Sequence, residues 1–108
     1  MAEPTQITPP QLKALMDAQA QFCLLDVREP WEVALATIPG SLPIPLNEIP
    51  ARWRELDAAS SIIVMCRSGG RSQRAAQFLL AQGLSRVSNL QGGILGWARE
   101  VDPGTPEY

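Results

Sequence analysis

Histidine is missing from this chain of 108 residues, and only two cysteines are present, Cys23 and Cys66. The missing histidine removes the commonest partner of cysteine in a metal site, and two cysteines so far apart form neither a metal knuckle nor a disulfide framework. We therefore expect no metal and no other cofactor. A histidine general base is excluded as well, so a nucleophilic cysteine in this chain has to be activated in another way.

Long apolar runs and a strong net charge are also missing. No stretch approaches the ~18 apolar residues of a transmembrane helix, and the first ten residues, MAEPTQITPP, contain neither a basic nor an apolar signal region. The formal net charge of −2 is spread without long runs, so no surface for nucleic acid or anionic membranes is indicated. We expect a cytoplasmic protein that acts as a monomer, with neither nucleic acid nor membrane as a partner.

Short apolar runs alternate with helical patterns along the chain. Strands separated by crossover helices form right-handed βαβ units, so the predicted fold class is α/β, with a mainly parallel sheet and helices on both faces. The 45% hydrophobic content fits one domain, with a core over about residues 5–101 and a flexible tail at 102–108. The predicted strands are 5–8, 22–26, 42–44, 61–65 and 87–90, and the predicted helices are 9–16, 30–36, 46–56, 71–82 and 93–100.

The segment VMCRSGGRS places Cys66 directly after the central predicted strand and before the next helix. Ligands of open parallel α/β sheets bind at the carboxyl ends of the strands. Gly69 and Gly70 allow backbone amides to form an anion-binding nest at the helix N-terminus, and Arg67 and Arg71 add positive charge. This environment is expected to lower the pKa of the Cys66 thiol and to make it a nucleophile.

The other conspicuous residues are interpreted as structural. Cys23 lies within an apolar strand and is interpreted as a small buried hydrophobic residue. Asp26 and Arg28 are expected to form a structural ion pair or a helix cap rather than a catalytic pair. Trp31, near the same edge of the sheet, is assigned to packing rather than to a pocket.

Four segments together resemble the motifs of single-domain rhodaneses, which are thiosulfate or persulfide sulfurtransferases: LLDVREPWE, IPGSLPIPL, VMCRSGGRSQRAA and LQGGILGW. The resemblance extends from about Leu24 to Trp97. It implies a five-stranded parallel sheet between helices, a persulfide carried on the cysteine, and a loop from Cys66 to Arg71 whose backbone amides surround that sulfur. Thr37 departs from the pattern, because many relatives have histidine directly before Ile-Pro-Gly.

The implied reaction is sulfur transfer in two steps. The Cys66 thiolate takes the outer sulfur of thiosulfate or a persulfide donor, and cyanide, a thiol or a sulfur-acceptor protein then removes it. Cys66 is the expected catalytic residue, and the expected substrate-binding residues follow it: Arg67, Ser68, Gly69, Gly70, Arg71 and Ser72. Arg67 and Arg71 would position the anionic donor, unless Arg71 only anchors the loop or either arginine is a solvated surface charge.

Two other functions are left open. A phosphatase of the dual-specificity type resembles this fold, but its loop has the form C-x5-R, whereas Arg71 gives C-x4-R and Ser72 occupies the C-x5-R position. A non-catalytic rhodanese-like module would bind a partner or sense redox state. Inactive members often lose the cysteine, which this chain keeps.

Overall fold

The computed structural model describes residues 3–108, and they form a five-stranded sheet. Its strands are β1 (Thr5–Ile7), β2 (Cys23–Asp26), β3 (Leu42–Pro43), β4 (Ile62–Met65) and β5 (Val87–Leu90). Their order across the sheet is β1-β5-β4-β2-β3, and each neighbouring pair is parallel. The α/β class and the parallel sheet that were predicted from the sequence are therefore confirmed.

Five helices connect or follow the strands: α1 (Pro9–Asp17), α2 (Pro30–Leu35), α3 (Ile49–Arg52), α4 (Gly70–Ala81) and α5 (Gly93–Glu100). A capping box starts α1, because the Thr8 hydroxyl accepts from the Gln11 amide while the Gln11 side chain accepts from the Thr8 amide. Gly83 follows the C-terminus of α4 with a φ of +103°, a left-handed conformation that is common where helices end in glycine.

The continuous helix that was predicted for residues 46–56 is wrong. The segment instead contains a 3-10 turn at Leu46–Glu48, the short α3, and a second 3-10 turn at Trp53–Glu55. Pro50 explains the first interruption, because proline has no amide hydrogen to donate to the carbonyl of Leu46 four residues earlier. The apolar residues of the segment still pack on the sheet, since Ile49 is buried in the core that Trp53 contacts.

Two apolar layers lie on opposite faces of the sheet, because successive side chains of a buried strand point to opposite sides. In β4, Ile62 and Val64 belong to one layer, and Ile63 and Met65 belong to the other. The first layer contains α4 and the 46–56 segment, and the second contains α1 and α5. No helix within residues 3–108 is long and apolar enough to cross a membrane.

The elements that the sequence assigned to a site meet at the carboxyl ends of the strands, which we call the carboxyl edge of the sheet. Cys66 follows β4 at this edge, and β2 ends beside it because Asp26 is in register with Met65. The N-termini of α4 and α5 lie at the same edge, since each helix begins within five residues after the end of a parallel strand. Backbone amides of two helix starts are therefore available there.

Candidate active site

Cys66 is only 1% exposed and has hydrogen-bond donors on several sides. The backbone amide of Gly69 donates to its Sγ at 3.0 Å, and the hydroxyl of Ser72 lies 3.3 Å from the same sulfur. Burial raises the pKa of the Cys66 thiol, but the Ser72 hydroxyl and the amides of Ser72, Gly69 and Ser68 more than offset that effect. The pKa of Cys66 therefore lies below its ordinary value, which favours the thiolate nucleophile.

The start of α5 fixes the conformation of the cysteine loop. The backbone amides of Ile94 and Leu95 donate to the carbonyl oxygens of Cys66 at 2.9 Å and Arg67 at 3.1 Å. Because these carbonyls point toward α5, the amides that follow are free to face the sulfur. Gly93 permits this close approach, since a Cβ atom at that position would lie 2.4 Å from the carbonyl oxygen of Arg67.

The two glycines of the loop have different roles. Gly69 has a φ of +111°, a left-handed conformation that favours glycine, and it turns the chain into α4. Gly70 is the first residue of α4, and a Cβ atom there would meet nothing within 4 Å. The arrangement of amides around the sulfur therefore depends on Gly69 rather than on Gly70.

Ser72 is fully buried and connects the sulfur to β5. Its hydroxyl lies 2.5 Å from Oδ1 of Asn89 and 3.2 Å from the carbonyl oxygen of Gly69. Asn89 in turn donates from Nδ2 to Oε1 of Gln6 on β1 at 3.0 Å. Ser72 is among the site residues predicted from the sequence, whereas Asn89 is not, and its signal is a polar side chain within a largely buried strand.

Arg71 makes a bidentate ion pair with Glu32 of α2, with distances of 2.6 Å between Nη1 and Oε1 and 2.8 Å between Nη2 and Oε2. Glu32 is buried and also accepts from the Tyr108 hydroxyl at 2.6 Å and the Glu29 amide at 2.9 Å. The hydrogen bonds from Arg71, together with those from Tyr108 and Glu29, lower the pKa of Glu32 to about 2 despite its burial. Glu32 is not among the predicted site residues, because nothing in the local sequence indicates a contact with Arg71.

Arg67 makes hydrogen bonds and a cation–π contact with Tyr108. Its Nε donates to the backbone oxygen of Tyr108 at 2.7 Å, Nη2 donates to the same oxygen, and the guanidinium lies 5.4 Å from the ring centroid. Arg28 lies 5.7 Å from that centroid and donates to the Tyr108 hydroxyl at 3.0 Å. The flexibility of the 102–108 tail stays a prediction, but the structure places Tyr108 against two arginines of the site edge.

Asp26 and Arg28 form the structural ion pair that the sequence predicted. Both side chains are fully buried, and Nη2 of Arg28 lies 2.8 Å from Oδ2 of Asp26. The remaining guanidinium hydrogens are donated partly to the backbone carbonyls of Glu32 and Ala36. This pair therefore fixes the segment that presents the Glu32 carboxylate to the cysteine loop.

The assignment of Trp31 to packing is wrong, because its side chain is 62% exposed. The adjacent Glu32 points inward to meet Arg71, and one residue of α-helix corresponds to a rotation of about 100°, so Trp31 faces outward. Its ring meets the Tyr108 ring edge-on, with 6.1 Å between the centroids. An exposed aromatic side chain consequently lies beside the residues that hold the loop.

This chain is similar to sulfurtransferases in sequence and to a rhodanese-related protein in structure. The family model of the Rhodanese-like domain matches residues 8–100. A sulfurtransferase of Allochromatium vinosum is 45% identical over 80 residues, covering 74% of this chain and 75% of the relative. The putative sulfurtransferase YtwF of Bacillus subtilis is 36% identical over 98 residues, covering 91% and 94%. A crystal structure of a rhodanese-related protein from Thermoplasma volcanium has a TM-score of 0.83 and 32% identity, covering 96% of this chain and 99% of that one.

Proposed function

This chain belongs to the rhodanese-like domain family, and we propose that it moves a sulfane sulfur from thiosulfate or a persulfide donor to cyanide or a thiol acceptor. The domain and the names of its relatives support sulfurtransferase activity. The observation that carries the finer proposal is the environment of Cys66, a buried sulfur that accepts from the Gly69 amide at 3.0 Å and has the Ser72 hydroxyl within 3.3 Å. A thiolate stabilised in this way needs no general base, which suits a chain without histidine.

In the first half-reaction, the Cys66 thiolate attacks the outer sulfur of the donor. The bond between the two donor sulfurs breaks, and sulfite leaves with its electron pair when the donor is thiosulfate. A new bond joins Sγ of Cys66 to the transferred sulfur, which carries the negative charge of the resulting persulfide. The backbone amides of residues 67–72 stabilise that charge, as amides do for oxyanions in other sites.

The loop residues Arg67, Ser68, Gly69, Gly70, Arg71 and Ser72 form the donor site in this proposal. Arg67 contacts an anionic donor after the Tyr108 backbone oxygen has left it, because that oxygen now accepts from Nε and Nη2, the hydrogens that the donor would take. Arg71 remains paired with Glu32 and contributes the guanidinium hydrogens that Glu32 does not accept. The pair also anchors the start of α4, so Arg71 has a structural role in addition to donor binding.

In the second half-reaction, cyanide or an acceptor thiolate attacks the outer sulfur of the persulfide. The bond between that sulfur and Sγ breaks, its electron pair returns to Sγ, and the Cys66 thiolate is restored. The acceptor is a small thiol or a cysteine of a sulfur-acceptor protein. Neither half-reaction requires a metal or an organic cofactor.

The proposal is tested by mass spectrometry of the protein after incubation with thiosulfate. The peptide that contains Cys66 is expected to gain the mass of one sulfur atom, sulfite is expected in solution, and cyanide is expected to remove the added mass. Aryl phosphate serves as a parallel substrate. Sulfur found on Cys23 alone, phosphate release without sulfur loading, or neither reaction would contradict the proposal, and the last result would favour a binding module.

A further inference from the structure

The Ser72 hydroxyl has one hydrogen and three acceptors around it. They are Sγ of Cys66 at 3.3 Å, Oδ1 of Asn89 at 2.5 Å and the carbonyl oxygen of Gly69 at 3.2 Å. A serine hydroxyl donates a single hydrogen bond, so these three groups compete for it. The shortest distance is to Asn89, and the arrangement in the structure therefore directs the hydrogen to Asn89 and away from the sulfur.

A negative charge on Sγ reverses this preference, because a thiolate is a stronger acceptor than an amide oxygen. If the hydrogen turned to the sulfur and nothing else changed, two oxygens of Ser72 and Asn89 would face each other at 2.5 Å without a hydrogen between them. Rotation of the Asn89 amide by half a turn removes this repulsion. Nδ2 then takes the place of Oδ1 and donates to the Ser72 hydroxyl, in a side chain of almost unchanged shape.

The neighbours of Asn89 are able to accommodate the rotation. Nδ2 of Asn89 now donates to Oε1 of Gln6 at 3.0 Å, and Nε2 of Gln6 donates to Oε1 of Gln73 at 2.8 Å. Both glutamines carry amides that can rotate in the same way, and Gln6 is exposed to water. The rotation also replaces the long hydrogen bond of 3.4 Å from Nδ2 of Asn89 to the Gly69 carbonyl oxygen, so Oδ1 then lies near that oxygen. The Gly69 carbonyl still accepts from the backbone amide of Gln73 at 3.0 Å and therefore keeps a donor.

We propose that Asn89 is a positioning residue whose amide reverses direction each time Sγ of Cys66 gains or loses negative charge. The inference rests on the proposed function. In the free thiolate, Asn89 donates to Ser72 and Ser72 donates to Sγ. In the persulfide, Sγ is uncharged and Ser72 donates to Oδ1 instead. When the acceptor removes the sulfur, Sγ is the leaving group, and the chain of hydrogen bonds reverses again without transferring a proton.

Asn89 is electrically neutral, and its effect can be separated from that of the charged groups near the loop. The ionisable side chains connected to the cysteine loop come from several elements. Arg67 and Arg71 belong to the loop and the start of α4, and Glu32 and Tyr108 contact these two arginines. The pair of Arg28 and Asp26 is connected to the loop through Tyr108. Within residues 3–108, the side-chain hydrogen bonds of Asn89 run to Ser72, Gln6 and Gly69 and to none of these groups. A change at Asn89 therefore leaves the ion pairs of the site in place.

The first test is the ionisation of Cys66, followed by thiolate absorbance and by the rate of alkylation with iodoacetamide across pH. Asn89→Leu keeps the approximate shape but removes the hydrogen bonds, and it is expected to raise the pKa of Cys66 by about one unit. Asn89→Asp only accepts hydrogen bonds and is expected to raise this pKa further. Ser88→Ala, the neighbouring position on the opposite face of β5, is the control and is expected to leave it unchanged.

The two half-reactions provide a readout that a loosened site would not reproduce. In Asn89→Leu, transfer of sulfur from the persulfide to cyanide is expected to slow by about threefold, because a more basic thiolate is a poorer leaving group. Loading from thiosulfate above the pKa is expected to stay equal or become slightly faster, because a more basic thiolate is a better nucleophile. Equal slowing of both half-reactions at high pH would overturn the proposal.

Gln6 supplies a second variant at an exposed position, where the fold is not at risk. Gln6→Glu only accepts hydrogen bonds, so it is expected to hold Nδ2 of Asn89 in place and to raise the pKa of Cys66. This rise is expected to persist in high salt, which screens the added charge. When Asn89→Leu is already present, adding Gln6→Glu is expected to cause no further rise in the pKa of Cys66. The proposal would be overturned if Gln6→Glu raised the pKa of Cys66 as much in the Asn89→Leu background as in the wild type. These titrations need no sulfur donor, so they decide the role of Asn89 even if the wild type fails to accept sulfur.

Discussion

The two cysteines belong to neighbouring strands, yet they lie at opposite ends of those strands. Cys23 is the first residue of β2, and Cys66 follows the last residue of β4. Cys23 is half-buried, and burial raises the pKa of its thiol, whereas the more deeply buried Cys66 has a lowered pKa. Burial alone would give the opposite order, because desolvation disfavours a thiolate.

The difference between the cysteines follows from the direction of the strands. In a parallel sheet, the chain leaves each strand at the carboxyl edge, and the following helix presents its unpaired amides there. Cys66 receives such amides from the loop before α4, while the start of α5 holds the loop in place. The amide of Cys23 donates to the carbonyl of Ser61 at 2.8 Å, an ordinary bond between strands, and its thiol gains nothing from a helix start.

The largest expected difference between the two cysteines is the effect on activity and stability of replacing each one with serine. Cys66→Ser is expected to abolish sulfur transfer with little loss of stability, because a serine hydroxyl is not ionised at neutral pH and cannot hold a sulfane sulfur. Cys23→Ser is expected to cost no more than about 1 kcal/mol of unfolding free energy and to leave turnover per folded molecule intact. Urea unfolding and sulfite release measure the two effects, and equal loss of activity in both folded variants would contradict the contrast.

Substitution of Gly93 is expected to make the Cys66 thiol as weakly ionised and unreactive as the Cys23 thiol. A Cβ atom in Gly93→Ala would lie 2.4 Å from the carbonyl oxygen of Arg67 and 2.5 Å from that of Cys66, so the loop or α5 has to shift. We expect most of the activity to be lost and the pKa of Cys66 to rise, because its amide donors move away.

The matched control for this prediction is Gly40→Ala. Gly40 also has a positive φ, of +84°, but a Cβ atom there meets nothing within 4 Å. Both substitutions introduce left-handed strain of about 1–2 kcal/mol, and only the change at Gly93 disturbs the loop. If the folded Gly93→Ala variant kept the wild-type pH dependence of Cys66 alkylation, the start of α5 would not control the thiolate.

Local patterns in the sequence were sufficient for the strands, the helix starts and the cysteine loop. They failed where a contact joins distant parts of the chain: Glu32 meets Arg71 across 39 positions, and Asn89 meets Ser72 across 17. Neither contact leaves a periodic or motif-like trace, because it depends on the order of the strands in the sheet. The prediction of a continuous helix at residues 46–56 failed for another reason, because the apolar spacing does not reveal that Pro50 has no amide hydrogen to donate.

The ion pair between Arg71 and Glu32 predicts how stability depends on pH. Glu32 has a pKa of about 2 in the folded protein, below its ordinary value of 4.5. The unfolded state therefore binds a proton more readily, and the contribution of the pair to stability is complete above about pH 5 and is lost as the pH falls toward 2. We expect Glu32→Gln to flatten the unfolding free energy measured in urea over this interval.

Glu48→Gln is the control for the acid profile, because Glu48 pairs with Arg52 on the surface at 2.8 Å and both side chains are exposed. Exposed ion pairs contribute little to stability, so this variant is expected to keep the wild-type slope. Since Arg71 anchors the start of α4, Glu32→Gln is also expected to slow Cys66 alkylation without changing that of Cys23. Parallel acid profiles of wild type and Glu32→Gln would show that the buried pair does not stabilise the fold.

The smallest expected effect concerns access to Cys66 rather than its ionisation. Tyr108 contacts Arg67 through its backbone oxygen and its ring, and its hydroxyl donates to Glu32, so it occupies the guanidinium that we assign to the donor. In Tyr108→Ala, the loss of a cation–π contact of about 0.5–1 kcal/mol is expected to lower the KM for thiosulfate by about two- to fivefold. Tyr108→Phe keeps the ring and is expected to have a smaller effect, and Glu107→Gln, which breaks only the exposed pair with Arg99, is expected to have none. An unchanged KM in Tyr108→Ala, with unchanged alkylation of Cys66, would show that Tyr108 and the donor do not compete for Arg67.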